Sequence, residues 1–270
     1  MLAPHRLAAL DDLLVELNAA SAQAILPLFR ADHGLENKFA EGRGFDPVTE
    51  ADKGAERAIR ALLAERVPDH GVIGEEYGED RPDAEFVWVL DPVDGTRAFV
   101  AGLPVWTTLI ALRYQGRPVL GSIGQPFIGE LFIGHAGGSR LIDTKGTRSL
   151  KVRDCPTFSS AIIATTDPEG CFGPAEMSAW QAVRKATRLA RLGCDAYAYA
   201  MVAAGTLDLV MEAGLKSWDI ECAVPLIEGA GGQVSDWRGE AIGKHGGQAL
   251  ITGDPACQAQ ALDLLASAAA

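Results

Sequence analysis

Apolar residues recur at helical spacing between Leu7 and Phe29, at Leu7, Leu10, Leu14, Leu17, Ile25 and Leu28, with Asp11, Asp12 and Glu16 among them. That spacing predicts an amphipathic helix. A polar, glycine-containing stretch follows over residues 32–44. A second helix is predicted from about Thr49 to Arg66, burying Ala55, Ile59, Leu62 and Leu63 and ended by Pro68-Asp69-His70-Gly71. The period then shortens. Phe86-Val87-Trp88-Val89-Leu90 reads as a buried strand, and residues 107–114, 119–123, 130–133 and 140–143 as further strands between glycine or proline turns. Later in the chain, strands (161–165, 189–192, 207–211, 249–252) alternate with helices (174–187, 197–204, 220–230, 255–268). The expectation is an α+β / α/β protein. Residues 1–150 supply two helices and a largely antiparallel sheet, and residues 151–270 supply an α/β half. No low-complexity linker separates them, so a large interface between the halves is expected.

Composition narrows the class. Of 270 residues, 48% are hydrophobic and 22% charged, which suits a soluble globular chain. The formal net charge of -12 argues against unassisted binding to nucleic acid. A small anionic substrate stays open, because bound cations reverse the local field. No apolar run is long enough to span a bilayer. The acidic residues within the first helix leave no uninterrupted signal-peptide core, so a cytoplasmic protein is expected. Cys155, Cys171, Cys194, Cys222 and Cys257 form no CxxC pair and read as reduced thiols.

The strongest chemical signal is Asp91-Pro92-Val93-Asp94-Gly95-Thr96, directly after the apolar strand. Carboxylates leaving a buried strand together repel unless they are protonated or share a cation. Hard oxygen ligands on short turns suit Mg2+. Asp-Pro and Asp-Gly are also ordinary turn dipeptides, so the hexapeptide alone does not decide. Three other segments carry acids at element ends: Gly74-Glu75-Glu76, Asp46-Pro47-Val48-Thr49-Glu50-Ala51-Asp52 and Trp218-Asp219. Each has a plain structural explanation by itself, namely a solvated loop, a capping box and a helix N-cap.

Together, in this order and spacing, the segments resemble the inositol monophosphatase family of metal-dependent phosphatases, and Gly229-Ala230-Gly231-Gly232 fits as well. The resemblance spans nearly the whole chain. It implies a layered α-β-α-β-α fold, usually as a homodimer, with two or three Mg2+ per active site. Glu75, Asp91 and the Val93 carbonyl would hold one ion, and Asp91, Asp94 and Asp219 a second. Glu76 would support a third through water. Asp52 and Thr96 would orient and deprotonate the attacking water, with Glu75 counted beside them as catalytic. The Gly95 and Thr96 amides would face phosphate. Lys38 matches a loop lysine of the family and is a further candidate, although an exposed, solvated lysine explains it nearly as well.

Thr96-Arg97-Ala98-Phe99 followed by Gly102-Leu103-Pro104 and Trp106 looks like the histidinol-phosphatase branch, which makes L-histidinol in histidine biosynthesis. Arg97, Arg191, Asp195 and Glu212 are the implied substrate contacts. Carboxylates at Asp195 and Glu212 suit an ammonium and an imidazole. Trp106 and Tyr197 read as core residues. Hydrolysis of inositol 1-phosphate or of a sugar bisphosphate is the second expectation. A catalytically inactive interaction module is a remote third, because an intact acidic cluster is costly to keep.

Overall fold

In the computed structural model, which describes residues 2–32, 34–38 and 47–270, helix α1 (Pro4–Ile25) leads to a short strand pair, β1 (Glu36–Asn37) with β2 (Pro47–Val48), and then to helix α2 (Glu50–Arg66). Next come β3 (Gly71–Gly74), β4 (Gly78–Asp80), β5 (Phe86–Asp94) and the short helix α3 (Thr96–Val100). The strands β6 (Thr107–Tyr114), β7 (Arg117–Gln125), β8 (Glu130–His135), β9 (Gly138–Asp143) and β10 (Gly146–Ser149) follow. The second half runs β11 (Ile162–Thr165), α4 (Pro168–Cys171), α5 (Pro174–Ala186), β12 (Leu189–Leu192), α6 (Tyr197–Ala203) and β13 (Leu209–Leu215). It ends with α7 (Ser217–Ile220), α8 (Ala223–Gly229), β14 (Gln233–Ser235), β15 (Gly247–Thr252) and α9 (Pro255–Leu265).

Among the described residues, eight strands form one sheet in the order β10-β9-β8-β7-β6-β5-β3-β4, antiparallel except where β3 meets β5. Five more form a mixed sheet in the order β12-β11-β13-β15-β14. Strand alternation sets the layering, because successive side chains point to opposite faces. On β5, Phe86, Trp88 and Leu90 pack with Leu10, Leu14 and Leu17 of α1 and Ile59 and Leu63 of α2. Val87 and Val89 face the other way, into a core shared with α6, α8 and the inner face of the second sheet through Val202, Leu226, Val210 and Ile251. Leu209 and Met211 of β13 point outward onto Trp180 and Val183 of α5 and Ala261 and Leu265 of α9. The result is the layered α-β-α-β-α arrangement.

Differences from the sequence reading have local causes. The first helix ends at Ile25 rather than near Phe29, because Pro27 lacks the amide that the next turn needs. The helix expected over 220–230 is split into α7 and α8. Pro225 cannot donate to the Glu221 carbonyl, and the break falls at Glu221-Cys222. The strand expected over 207–211 runs instead from Leu209 to Leu215. The Leu207 amide is already used by the Met201 carbonyl, closing α6. A bulge between Glu212 and Leu215 then lets β13 continue. The short elements β1, β2, β4, α3, β10, α4 and β14 were not expected from the sequence.

Close contact between the sheet and α8 is bought with glycines. A Cβ on Gly121 of β7 would stand 2.3 Å from the Cys222 carbonyl oxygen, and one on Gly134 of β8 would stand 2.2 Å from Leu226 Cα. A buried ion pair ties the same junction to β6: Arg113 Nε donates to Glu221 Oε2 at 2.6 Å, and the guanidinium also donates to Oε1. Breaking a buried pair leaves an uncompensated charge, costing about 3–5 kcal/mol. Arg113→Met should therefore destabilise the protein by about that amount in urea unfolding, and Arg113→Met combined with Glu221→Leu by clearly less. A double variant no better than the single one would contradict this reading of the pair.

Candidate active site

The first sheet delivers its acids at the end of β5. The strand stays paired with β6 through Asp91↔Leu109, then shifts register before Asp94↔Thr107. Asp91 Oδ1 accepts the Val93 amide at 3.1 Å. Asp94 Oδ2 accepts the Ala196 amide at 2.8 Å, a bond from the other half of the chain. Gly95 takes φ +79°, the left-handed conformation that starts α3. Thr96 Oγ1 lies 3.2 Å from Asp52 Oδ1 and 3.1 Å from the Val93 carbonyl, sharing one proton between two acceptors.

Asp52 is the third residue of α2 and closes its capping box. Its Oδ2 accepts the Thr49 amide at 2.8 Å and the Thr49 hydroxyl at 2.5 Å. The capping explanation and the functional one therefore coexist, since Oδ1 is left to face Thr96. Burial raises the Asp52 pKa against the hydrogen bonds from Thr49. Asp46 lies outside the described residues.

Asp219 sits in α7, where its Oδ2 accepts the Lys216 amide at 2.7 Å. Glu75 follows β3. Lys38 bridges Glu75 Oε1 at 2.8 Å and Glu76 Oε1 at 2.6 Å. Burial works against the lysine's charge, but the two glutamates outweigh it and raise its pKa. Lys38 is thus not a loose surface lysine; it neutralises the acids that were expected to meet a metal.

A cleft of about 290 Å³ between the ends of β5 and β13 gathers Glu75, Asp91, Val93, Asp94, Gly95, Thr96, Arg97, Asp195, Glu212 and Asp219. Burial raises Asp91 and Asp94 well above the usual carboxylate range. For Asp91 the charge of Glu75 adds to it, and for Asp94 the charge of Asp195 does. Burial pushes Asp219 up to about 7, with the Lys216 amide pulling the other way. Among the described residues, no three His, Cys, Asp or Glu side chains close into a coordination shell. The acids share the cleft without clasping one point. Their chemistry fits a hard divalent cation: all donors are oxygens, and each of Asp91, Asp94 and Asp219 has one oxygen fixed by an amide and one that accepts no hydrogen bond from the described residues.

The opposite wall comes from the second sheet. Asp195, at φ +46°, approaches Gly95 so closely that a Cβ there would stand 2.9 Å from its Cγ. It accepts no side-chain hydrogen bond from the described residues, and burial raises it to about 6, opposed by Arg97. Glu212 is pushed by burial up to about 8. Its Oε1 accepts the Thr166 amide and hydroxyl at 2.8 and 2.9 Å, and its Oε2 the Thr165 hydroxyl at 3.2 Å.

Arg191, expected in the substrate pocket, is instead exposed on β12, the edge strand of its sheet, and does not line the cleft. The Gly193 turn separates it from Asp195. Trp106 is fully buried against Phe29 and Phe99, and Tyr197 donates to Glu130 at 2.7 Å; neither lines the cleft.

Sequence reasoning missed Asp167, which lines the cleft, caps α4 at the Gly170 amide and meets Arg97 at 3.0 Å. Its signal was the Asp167-Pro168 step after a strand, the same punctuation as Asp91-Pro92. Thr166, Cys171 and Tyr199 also line the cleft and were not singled out. All five cysteines are free, with Cys155, Cys222 and Cys257 buried.

Known proteins resemble this chain in sequence and in fold. The family model described as "Inositol monophosphatase family" matches residues 7–270. The chloroplastic bifunctional phosphatase IMPL2 of Arabidopsis thaliana is 40% identical over 87% of this chain, which spans 65% of that protein's length. A histidinol-phosphatase of Chlorobaculum parvum is 31% identical over 77% of this chain and 76% of its own. Among solved structures, an inositol monophosphatase from Zymomonas mobilis superposes with a TM-score of 0.84 at 38% identity, covering 95% of this chain and 98% of that one. With the matching fold and a family match over nearly its whole length, the chain belongs to the inositol monophosphatase family of phosphatases.

Proposed function

We propose that the protein is a Mg2+-dependent phosphate monoester hydrolase whose substrate is L-histidinol phosphate, converted with water to L-histidinol and phosphate. One observation carries the substrate: the wall facing the Gly95 turn presents the carboxylates of Asp195 and Asp167 against a single guanidinium, Arg97, with the buried Glu212 beside them as a hydrogen-bonding group. Such a wall attracts a cationic alcohol and repels an anionic one. Asp195 is the freest acceptor there, since Glu212 is already engaged by Thr165 and Thr166. The Arg97–Asp167 pair is largely exposed and therefore weak, so Asp167 stays available to the substrate. The similarity to the Chlorobaculum histidinol-phosphatase supports the same reading.

In this reading Glu75, Asp91, the Val93 carbonyl, Asp94 and Asp219 would hold the ions, and Glu76 would support a further one. Bound Mg2+ supplies charge neutralisation for the phosphate dianion, a lowered pKa for the attacking water and stabilisation of the departing alkoxide. The protein's own groups do the positioning that dominates phosphoryl transfer. The Gly95 and Thr96 amides orient the phosphate oxygens. The Thr96 hydroxyl accepts from the water while donating to Asp52 Oδ1, which receives the proton. Burial makes Asp52 a stronger base than an exposed aspartate. A homodimer in the cytoplasm completes the proposal, and free thiols suit that reducing compartment.

Hydrolysis of inositol 1-phosphate is the second reading, favoured by the 38% identity to the Zymomonas inositol monophosphatase. Turnover of the purified protein decides. We expect kcat/KM for L-histidinol phosphate to exceed that for inositol 1-phosphate and fructose 1,6-bisphosphate. Asp195→Asn should lower the first by about 10- to 100-fold, the worth of a charge-assisted hydrogen bond, and leave the inositol ester within about threefold. Equal or better turnover of inositol 1-phosphate by the wild type would overturn the substrate assignment. Asp52→Asn keeps the helix cap but loses the base, so kcat should fall by about 10²- to 10⁴-fold with little change in KM. An unchanged kcat would remove Asp52 from the mechanism.

A further inference from the structure

We propose that Glu56 is a positioning residue: it fixes the Glu75–Glu76 turn and thereby sets the affinity of the cleft for a divalent cation. The inference rests on the metal-site reading above and concerns a residue that touches neither substrate nor ion.

Glu56 is fully buried on the apolar face of α2, among Ala51, Ala55, Ile59 and Leu63. It stands one turn after Asp52, so both carboxylates leave the same face of one helix. A buried carboxylate is costly unless each oxygen is satisfied. Here Oε2 accepts the Glu76 amide at 2.8 Å, and Oε1 accepts the Tyr77 amide at 3.2 Å and Arg60 Nε at 2.7 Å. The Arg60 guanidinium also donates to the Gly78 carbonyl. Glu56 and Arg60 therefore hold the turn after β3 by its amides on one side and by a carbonyl on the other.

Room for this anchor exists only because residue 74 is a glycine. A Cβ on Gly74 would stand 2.0 Å from Glu56 Oε1. The turn so held carries Glu75, a cleft residue, and Glu76, which shares Lys38 with it. One rigid helix thus presents Asp52 directly and places Glu75 and Glu76 through Glu56. Groups that orient ligands in this way typically change metal affinity by about 10–100-fold when removed.

The test is calorimetric titration of Mg2+ into substrate-free protein, with thermal unfolding of the same samples and KM measured at saturating Mg2+. Glu56→Gln keeps one accepting oxygen and replaces the other with an NH2, which cannot accept from the donor facing it. It should weaken the Mg2+ Kd by about tenfold or more and leave the substrate KM within about twofold. Arg60→Gln, which loosens the carboxylate from the partly exposed side, should weaken Kd in the same direction by less, and it decides the matter if Glu56→Gln does not fold. A lowered melting temperature with Kd unchanged in the folded variants shows a merely structural role and overturns the proposal alone. Wild-type protein that binds no Mg2+ removes the metal-site reading and this proposal with it.

Discussion

Like charges drawn together out of water are the constraint on which this structure depends. Asp91, Asp94 and Asp219 face one cleft with Glu75, and burial with mutual repulsion drives the three aspartates toward protonation. The chain manages the conflict with its backbone. Val93, Ala196 and Lys216 each give an amide to one oxygen of an aspartate, fixing its direction, and the second oxygen is left toward the cleft. Asp52 is treated alike, held by Thr49 and open toward Thr96. Lys38 occupies Glu75 and Glu76, and Arg97 lines the cleft beside Asp167. Protons or a bound cation would neutralise the remaining charge.

The fold exists in a form that makes such convergence achievable. Alternation along β5 sends its apolar side chains to both helical layers and ends the strand with acids at the inter-sheet layer. Gly121 and Gly134 let the α7–α8 junction lie directly on β7 and β8, and Arg113 clamps Glu221 onto β6. Asp219, two residues before Glu221, is carried by that seating to the end of β5. The amide from Ala196 to Asp94 joins the halves at the same place. Core packing and site assembly are thus one arrangement seen at two depths.

Much of this was legible in the sequence, and the gaps have physical reasons. The long helices and β5 announce themselves because their apolar faces are wide and regular. Short elements such as α4 and β14 bury too little to leave a period. Asp91, Asp94 and Glu75 drew attention because Asp-Pro and Gly-Glu steps follow apolar strands, whereas the roles of Asp219, Asp195 and Glu212 came from the family resemblance. Asp167 follows the same grammar and was overlooked. Glu56 was overlooked, although it follows Asp52 by one turn on the buried face of α2. Arg191, placed in the substrate pocket by the resemblance, stays outside the cleft beyond the turn at Gly193. Nothing local could reveal that Lys38 crosses to Glu75 and Glu76, a contact made only by the tertiary fold.

The cleft's acids repel one another, and a bound divalent cation would relieve that repulsion. Thermal unfolding across pH 5 to 8, with chelator and with excess Mg2+, tests it most directly. Asp219 and Glu212 have folded pKa values near 7 and 8, above their ordinary 3.8 and 4.5. Between those limits the unfolded chain binds fewer protons, so their contribution to stability is present at low pH and is lost as pH rises. The metal-free melting temperature should therefore fall from pH 5 to 8, and Mg2+ should raise it most at pH 8, where the carboxylates are most ionised. A metal-free profile that rises or stays flat over that range, with no shift on adding Mg2+, would contradict the account.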